Sequence, residues 1–170
     1  GRPSEASLVT AGEAAMSWIS ARYPGRPVVL CGWSLGAGVA MQVAARRPVA
    51  GLVALSPFTS LSDAAEAHYP SWVVRRLLKD RYDNLQAAGR IRCPALVIHG
   101  GLDRVIPVSQ GKRVAEALSA KWIEVPASGH DDLLWRALDA ISGFCATPPS
   151  QAPPPGPRAG PGRSGSAPGS

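Results

Sequence analysis

Four short apolar runs, interleaved with helix-like stretches, constrain this chain more than any other feature. Residues 28–31 (Val-Val-Leu-Cys), 51–55 (Gly-Leu-Val-Ala-Leu), 95–99 (Ala-Leu-Val-Ile-His) and 122–125 (Trp-Ile-Glu-Val) are each too short for a helix and almost wholly apolar. A strand with one wet face alternates apolar and polar side chains, whereas these runs do not alternate. They therefore read as strands buried on both faces. Residues 5–22 read as a helix with Ala11, Ala15, Trp18 and Ile19 on one face, ended by Pro24-Gly25. Further helices are expected over residues 35–46, stopped by Pro48, and over 108–120, with Val114, Ala115 and Leu118 in register. A last helix is expected over 131–144, with Leu134, Ala137, Leu138 and Ile141 on one face. Buried strands alternating with helices specify an α/β fold: a mostly parallel sheet with helices on both faces.

The length of 170 residues suits one domain with a real core. Residues 146–170 are mostly Pro, Gly, Ser and Ala, with no apolar face to bury, so they are expected to be a disordered tail. That leaves residues 1–145 as the folding part. Between the second and third runs lies an insert, residues 59–92, helix-like and rich in aromatic and basic residues. An insert after the C-terminal end of a strand sits over the ligand crevice of such a sheet, which makes it a small helical cap. An ordinary long crossover is the alternative.

The net charge of +6 is spread over Arg46, Arg47, Arg75, Arg76, Lys79, Arg81, Arg90, Arg92, Lys112 and Arg113, without a nucleic-acid motif beside it. Nucleic acid is therefore not an expected partner. Cys31, Cys93 and Cys145 form neither a C-x-x-C pair nor a zinc spacing, and Cys31 is expected to be a small buried residue of its strand. This usage fits a reducing compartment, such as the cytoplasm. No pair of histidines has metal-ligand spacing, so no metal is expected. Residues 27–45 carry no charge, and Gly32 to Gly36 also matches G-x-x-x-G, the signature of a membrane helix that dimerises. Three glycines and a Gln interrupt the run and its start is strand-like, which disfavours a membrane span.

The chemistry centres on Gly32-Trp33-Ser34-Leu35-Gly36, a G-x-S-x-G. The motif recurs by chance and gains meaning only between a strand and a helix, where it lies here. A sharp turn there strains the serine backbone and exposes Oγ, and glycines on either side are expected to avoid collisions with the strand and helix. The helix behind Ser34 offers unpaired N–H groups, and the Leu35 N–H is the expected oxyanion donor. Serine needs a base, and the base an orienter. Asp103 follows the third run and His130 follows the fourth, so Ser34, Asp103 and His130 all fall at the carboxyl edge of the sheet, in the order nucleophile, acid, base. Taken singly, Asp103 also reads as a turn or capping aspartate and His130 as a loop histidine. His99 is expected to support the acid loop, His68 to lie on the surface, and Asp131 and Asp132 to serve the first turn of the last helix.

These segments together resemble the α/β-hydrolase superfamily. The resemblance rests on Gly-Trp-Ser-Leu-Gly, residues 56–61, the run from Arg92-Cys93-Pro94 to His99-Gly100, the Asp103 loop ending Val105-Ile106-Pro107, and Ser128-Gly129-His130. Within the superfamily they look most like the Bem46-like, serine aminopeptidase-like hydrolases, over about residues 1–144. The resemblance implies ester or amide hydrolysis through an acyl-enzyme, Ser34–Asp103–His130 as triad, and no cofactor. Trp33 and Phe58 are expected to shape an acyl pocket for a small-molecule or peptide substrate. Gly101 departs from the pattern, where such proteins often carry Asp. Only the last four of about eight family strands are visible, and the chain opens on Gly1-Arg2-Pro3. It is thus expected to be a truncated α/β-hydrolase fold lacking the loop that gives the second oxyanion donor, with its first strand an unpaired apolar edge. A non-catalytic remnant or binding protein on the same scaffold is the alternative.

Overall fold

The structure, a computed structural model, describes residues 3–146. The expected tail, apart from Ala146, lies outside them. Four strands, β1 (Val29–Trp33), β2 (Gly51–Leu55), β3 (Ala95–Gly100) and β4 (Lys121–Val125), form one parallel sheet in the order β1-β2-β3-β4. The register places Val29 beside Gly51, Leu52 beside Ala95 and Leu96 beside Lys121. Their ends at Trp33, Leu55, Gly100 and Val125 therefore share one edge.

Helices α1 (Glu5–Arg22), α2 (Leu35–Ala44), α5 (Asn84–Ala88) and α6 (Val108–Leu118) cover one face, and α7 (Leu133–Ala146) the other. In β2, Leu52 and Ala54 pack toward α2 while Val53 and Leu55 pack toward α7; in β3, Val97 faces the first layer and Leu96 and Ile98 the second. Both faces are covered, so every position of β2 and β3 is buried, and this is why those runs are unbroken in the sequence. Met41 and Leu133 are fully enclosed on opposite sides, each contributing about 1.5–3 kcal/mol of burial.

The edge strands depart from that pattern. Cys31 is exposed, contrary to expectation, because among the described residues no strand lies beyond β1 and its outer positions are only partly covered. Helix α1 buries Val9 and Met16, not the face of Trp18, which is 63 % exposed. Val9, Gly12 and Met16 turn toward α2, and a Cβ at Gly12 would come within 2.7 Å of Val43 Cγ2. Helix α6 stops at Leu118, two residues before the expected end, because Ser119 takes a left-handed conformation and lets the Ala120 N–H reach Ala115 O.

The insert holds α3 (Leu61–Glu66), α4 (Ser71–Leu77) and α5. Ser60 caps α3 by accepting from the Asp63 N–H, and Asp83 caps α5 by accepting from the Gln86 N–H. Helices α3 and α4 pack on each other, whereas α5 packs on α2 and α6 within the helical layer. Of the expected cap, only α3 and α4 stand outside that layer. No helix among the described residues is long and apolar enough to cross a membrane.

Candidate active site

Strand β1 runs directly into α2 through Ser34, whose backbone sits at φ 53°, ψ −121°. A non-glycine residue there is strained, and the surrounding contacts hold it. The Ser34 N–H donates to Leu55 O on β2, and Ser34 O accepts from Ala37 and Gly38 at the start of α2. A Cβ at Gly32 would lie 2.3 Å from Gly36 O, so the tight turn requires glycine at that position. Gly36 differs from expectation: a Cβ there meets nothing within 4 Å. Leu35 is the first residue of α2, so its N–H has no acceptor within the helix.

Asp103 lies in the turn after β3 with its side chain fully buried. Its two oxygens divide the work. Oδ1 accepts from the Val105 N–H at 2.9 Å and the Ile106 N–H at 2.8 Å, shaping the turn. Oδ2 accepts from His130 Nδ1 at 2.8 Å and from Ser56 Oγ at 2.8 Å. The turn aspartate and the imidazole partner are therefore one residue. Burial by itself would raise this carboxyl, but the hydrogen bonds from Ile106, His130, Ser56 and Val105 outweigh it and hold the group below the usual carboxylate range. Because the ionised carboxylate only accepts, the proton of the 2.8 Å bond sits on Nδ1, leaving the Nε2 lone pair of His130 free.

The loop carrying His130 is itself fixed. Asp132 Oδ1 accepts from the Gly129 N–H at 2.8 Å and from Ser128 Oγ at 2.9 Å, and its other oxygen accepts from Arg136 Nε. Asp132 thus ties this loop to α7 rather than simply serving the first turn of the helix. The His130 side chain is 11 % exposed, and its ring lies against Trp33 with centroids 5.5 Å apart. This places the imidazole over the residue that precedes Ser34. Among the described residues no hydrogen bond joins Ser34 Oγ to His130.

His99 is fully buried beneath the acid loop, as expected of a supporting residue. Its Nε2–H donates to Ile106 O at 3.0 Å and stands 3.5 Å from Asp103 Oδ2. Burial pulls its basicity below the ordinary histidine value, against smaller opposing effects of the Ile106 bond and Asp103. His68 is exposed as expected, yet its Nε2–H donates to Val105 O at 2.8 Å and so ties the cap to the acid loop.

Phe58 is 1 % exposed and packs with Ala64, Tyr82 and Ile106, edge-on to Tyr82 at 6.4 Å. It fills the core beneath the cap. Two cavities of about 400 and 510 Å³ lie elsewhere, the first lined by residues such as Glu5, Glu13 and Arg46, the second by Lys112, Glu116 and Trp122. Neither touches Ser34, Trp33, Phe58 or His130. No cluster of His, Cys, Asp or Glu suited to a metal ion occurs among the described residues. Ser56 is the site residue that sequence reasoning passed over. It is fully buried, has φ 42° at the end of β2, and reaches Asp103 across 47 residues of chain. Its signals in the sequence are its position at a strand's C-terminal end and its place in the 56–61 segment that carries part of the resemblance.

The dienelactone hydrolase family model matches residues 3–131. An uncharacterized Mycobacterium tuberculosis protein is 40% identical over 136 residues, which is 78% of this chain and 48% of that protein. Human alpha/beta hydrolase domain-containing protein 17B is 32% identical over 139 residues, 78% of this chain and 46% of its own length. The chain thus spans about half the length of the curated relatives it matches. A solved M. tuberculosis puromycin-hydrolyzing peptidase shares the fold with a TM-score of 0.69 at 20% identity, over 83% of this chain and 25% of that one.

Proposed function

Since the chain belongs to the dienelactone hydrolase family of the α/β-hydrolase superfamily, we propose that it is the catalytic half of a serine hydrolase that cleaves an ester or amide through an acyl-enzyme. The observation that carries this reading is the His130 Nδ1–Asp103 Oδ2 bond of 2.8 Å, with the His130 ring tilted against Trp33, the residue before a strained Ser34. Asp103 orients the ring so that Nε2 is the free base. Nε2 takes the proton of Ser34 Oγ as Oγ bonds to the substrate carbonyl carbon. The carbonyl oxygen becomes an oxyanion beside the Leu35 N–H. Collapse of that adduct breaks the bond to the alcohol or amine, which leaves with the proton from His130. Water then repeats the sequence on the acyl-serine and releases the acid. The Ser34–His130 hydrogen bond forms with substrate in place, since such bonds are often long in a free enzyme.

The ester-or-amide range follows from the relatives: the matched family is named for hydrolysis of a lactone, and the peptidase of similar fold for hydrolysis of puromycin. Trp33 is the side chain offered for contact with substrate. A second reading, a scaffold that binds without turnover, draws on the missing Ser34–His130 bond. The test is fluorophosphonate labelling of the full-length protein beside Ser34→Ala. Labelling of the parent alone, with turnover of p-nitrophenyl acetate lowered roughly 10³-fold or more in the variant, is the expected result. Equal labelling of both removes Ser34 from the role, and no labelling of either favours the binding scaffold.

A further inference from the structure

We propose that α4 and its flanking residues form a docking surface for an anionic phospholipid bilayer. Tyr69, Trp72 and Leu77 are 63 %, 69 % and 71 % exposed. A single exposed apolar side chain is ordinary on a protein surface, but here three large ones fall within nine residues. Residues 69–81 also carry Arg75, Arg76, Lys79 and Arg81 against Asp80 alone. All four cations are exposed, and among the described residues none is ion-paired.

This combination has a chemical complement. Trp and Tyr rings settle at the headgroup level of a bilayer, a leucine reaches the acyl boundary, and arginine and lysine pair with phosphate and carboxylate headgroups. The excess of positive charge selects an anionic surface over a zwitterionic one. The patch is also held in place. Val74 on the inner side of α4 is buried, α4 packs on α3, and His68, one residue before Tyr69, bonds Val105 O in the loop that carries Asp103. Docking through α4 therefore sets the acid loop beside the bilayer. This inference concerns binding and does not depend on Ser34 being reactive.

The test is co-sedimentation of the full-length protein with phosphatidylcholine vesicles, with and without phosphatidylserine, beside Trp72→Ala and the double variant Arg75→Glu/Arg76→Glu. The parent is expected to prefer the phosphatidylserine vesicles. Each cation near such a surface is worth about fivefold in partition, so the double variant loses roughly 25-fold or more. Trp72→Ala weakens binding to both vesicle types. Thermal melting of both variants stays at the parent level, which reports folding, since all three substituted side chains are exposed. Equal sedimentation of parent and double variant overturns the proposal. So does a parent that ignores phosphatidylserine, a result that leaves an acidic protein as the complement of the patch.

Discussion

Replacing Gly100 with alanine tests the geometry on which the site depends. Gly100 ends β3, three residues before Asp103, and a Cβ there would lie 2.5 Å from Ser128 O and 2.6 Å from Gly129 O. Both are backbone atoms of the loop that carries His130, so no side chain can swing away. Ordinary contact begins at 3.4 Å, so the acid and base loops must part by roughly 0.8 Å. The Asp103–His130 bond starts at 2.8 Å and would stretch past hydrogen-bond range. A misplacement of that size costs on the order of 10²-fold in rate, and the overpacking costs about 1–3 kcal/mol in stability. The assay is kcat/KM of the full-length protein on p-nitrophenyl acetate, with thermal melting in parallel. Gly143→Ala is the control: it lies in α7 with nothing within 4 Å of its would-be Cβ, and it should keep full activity while gaining about 0.5–1 kcal/mol of helix stability. If Gly100→Ala turned over substrate within about twofold of the parent, the two loops would not need this close approach and the reasoning would be wrong.

Ser56→Ala removes one of the hydrogen bonds that hold Asp103 ionised. The expected loss is about 1–3 kcal/mol in urea unfolding, since the buried Oδ2 loses a partner, with a fall in kcat; a kcat unchanged in Ser56→Ala would show that Ser56 does not position the acid. His99 gives a pH test. Burial places its folded pKa below the ordinary 6.5, so between the two values the unfolded chain binds a proton that the folded chain does not, and stability falls as pH drops below about 6.5. Asp103, depressed below 3.8 when folded, adds its own loss only under about pH 4. Urea melts from neutrality to about pH 5 should therefore show a decline in the parent that flattens in His99→Gln, and an equal decline in both would assign it to another group.

The sequence by itself determined the layers and the candidate chemistry. Runs 51–55 and 95–99 are apolar at every position but His99, because both faces of β2 and β3 are covered. The order of Ser34, Asp103 and His130 was equally legible, since each lies in the connection after a strand end and parallel strands bring their ends to one edge. Tertiary structure decided the rest. Periodicity reports that a segment has an apolar face, not which neighbour covers it, so α1 buries Val9 and Met16 while Trp18 stays exposed. Among the described residues, strand order puts β1 at an edge and leaves Cys31 exposed. Phe58 enters the core because Tyr82 folds back from 24 residues away, and Ser56 meets Asp103 across 47. Contacts of that span are set by how whole elements dock, and no local pattern of residues encodes them.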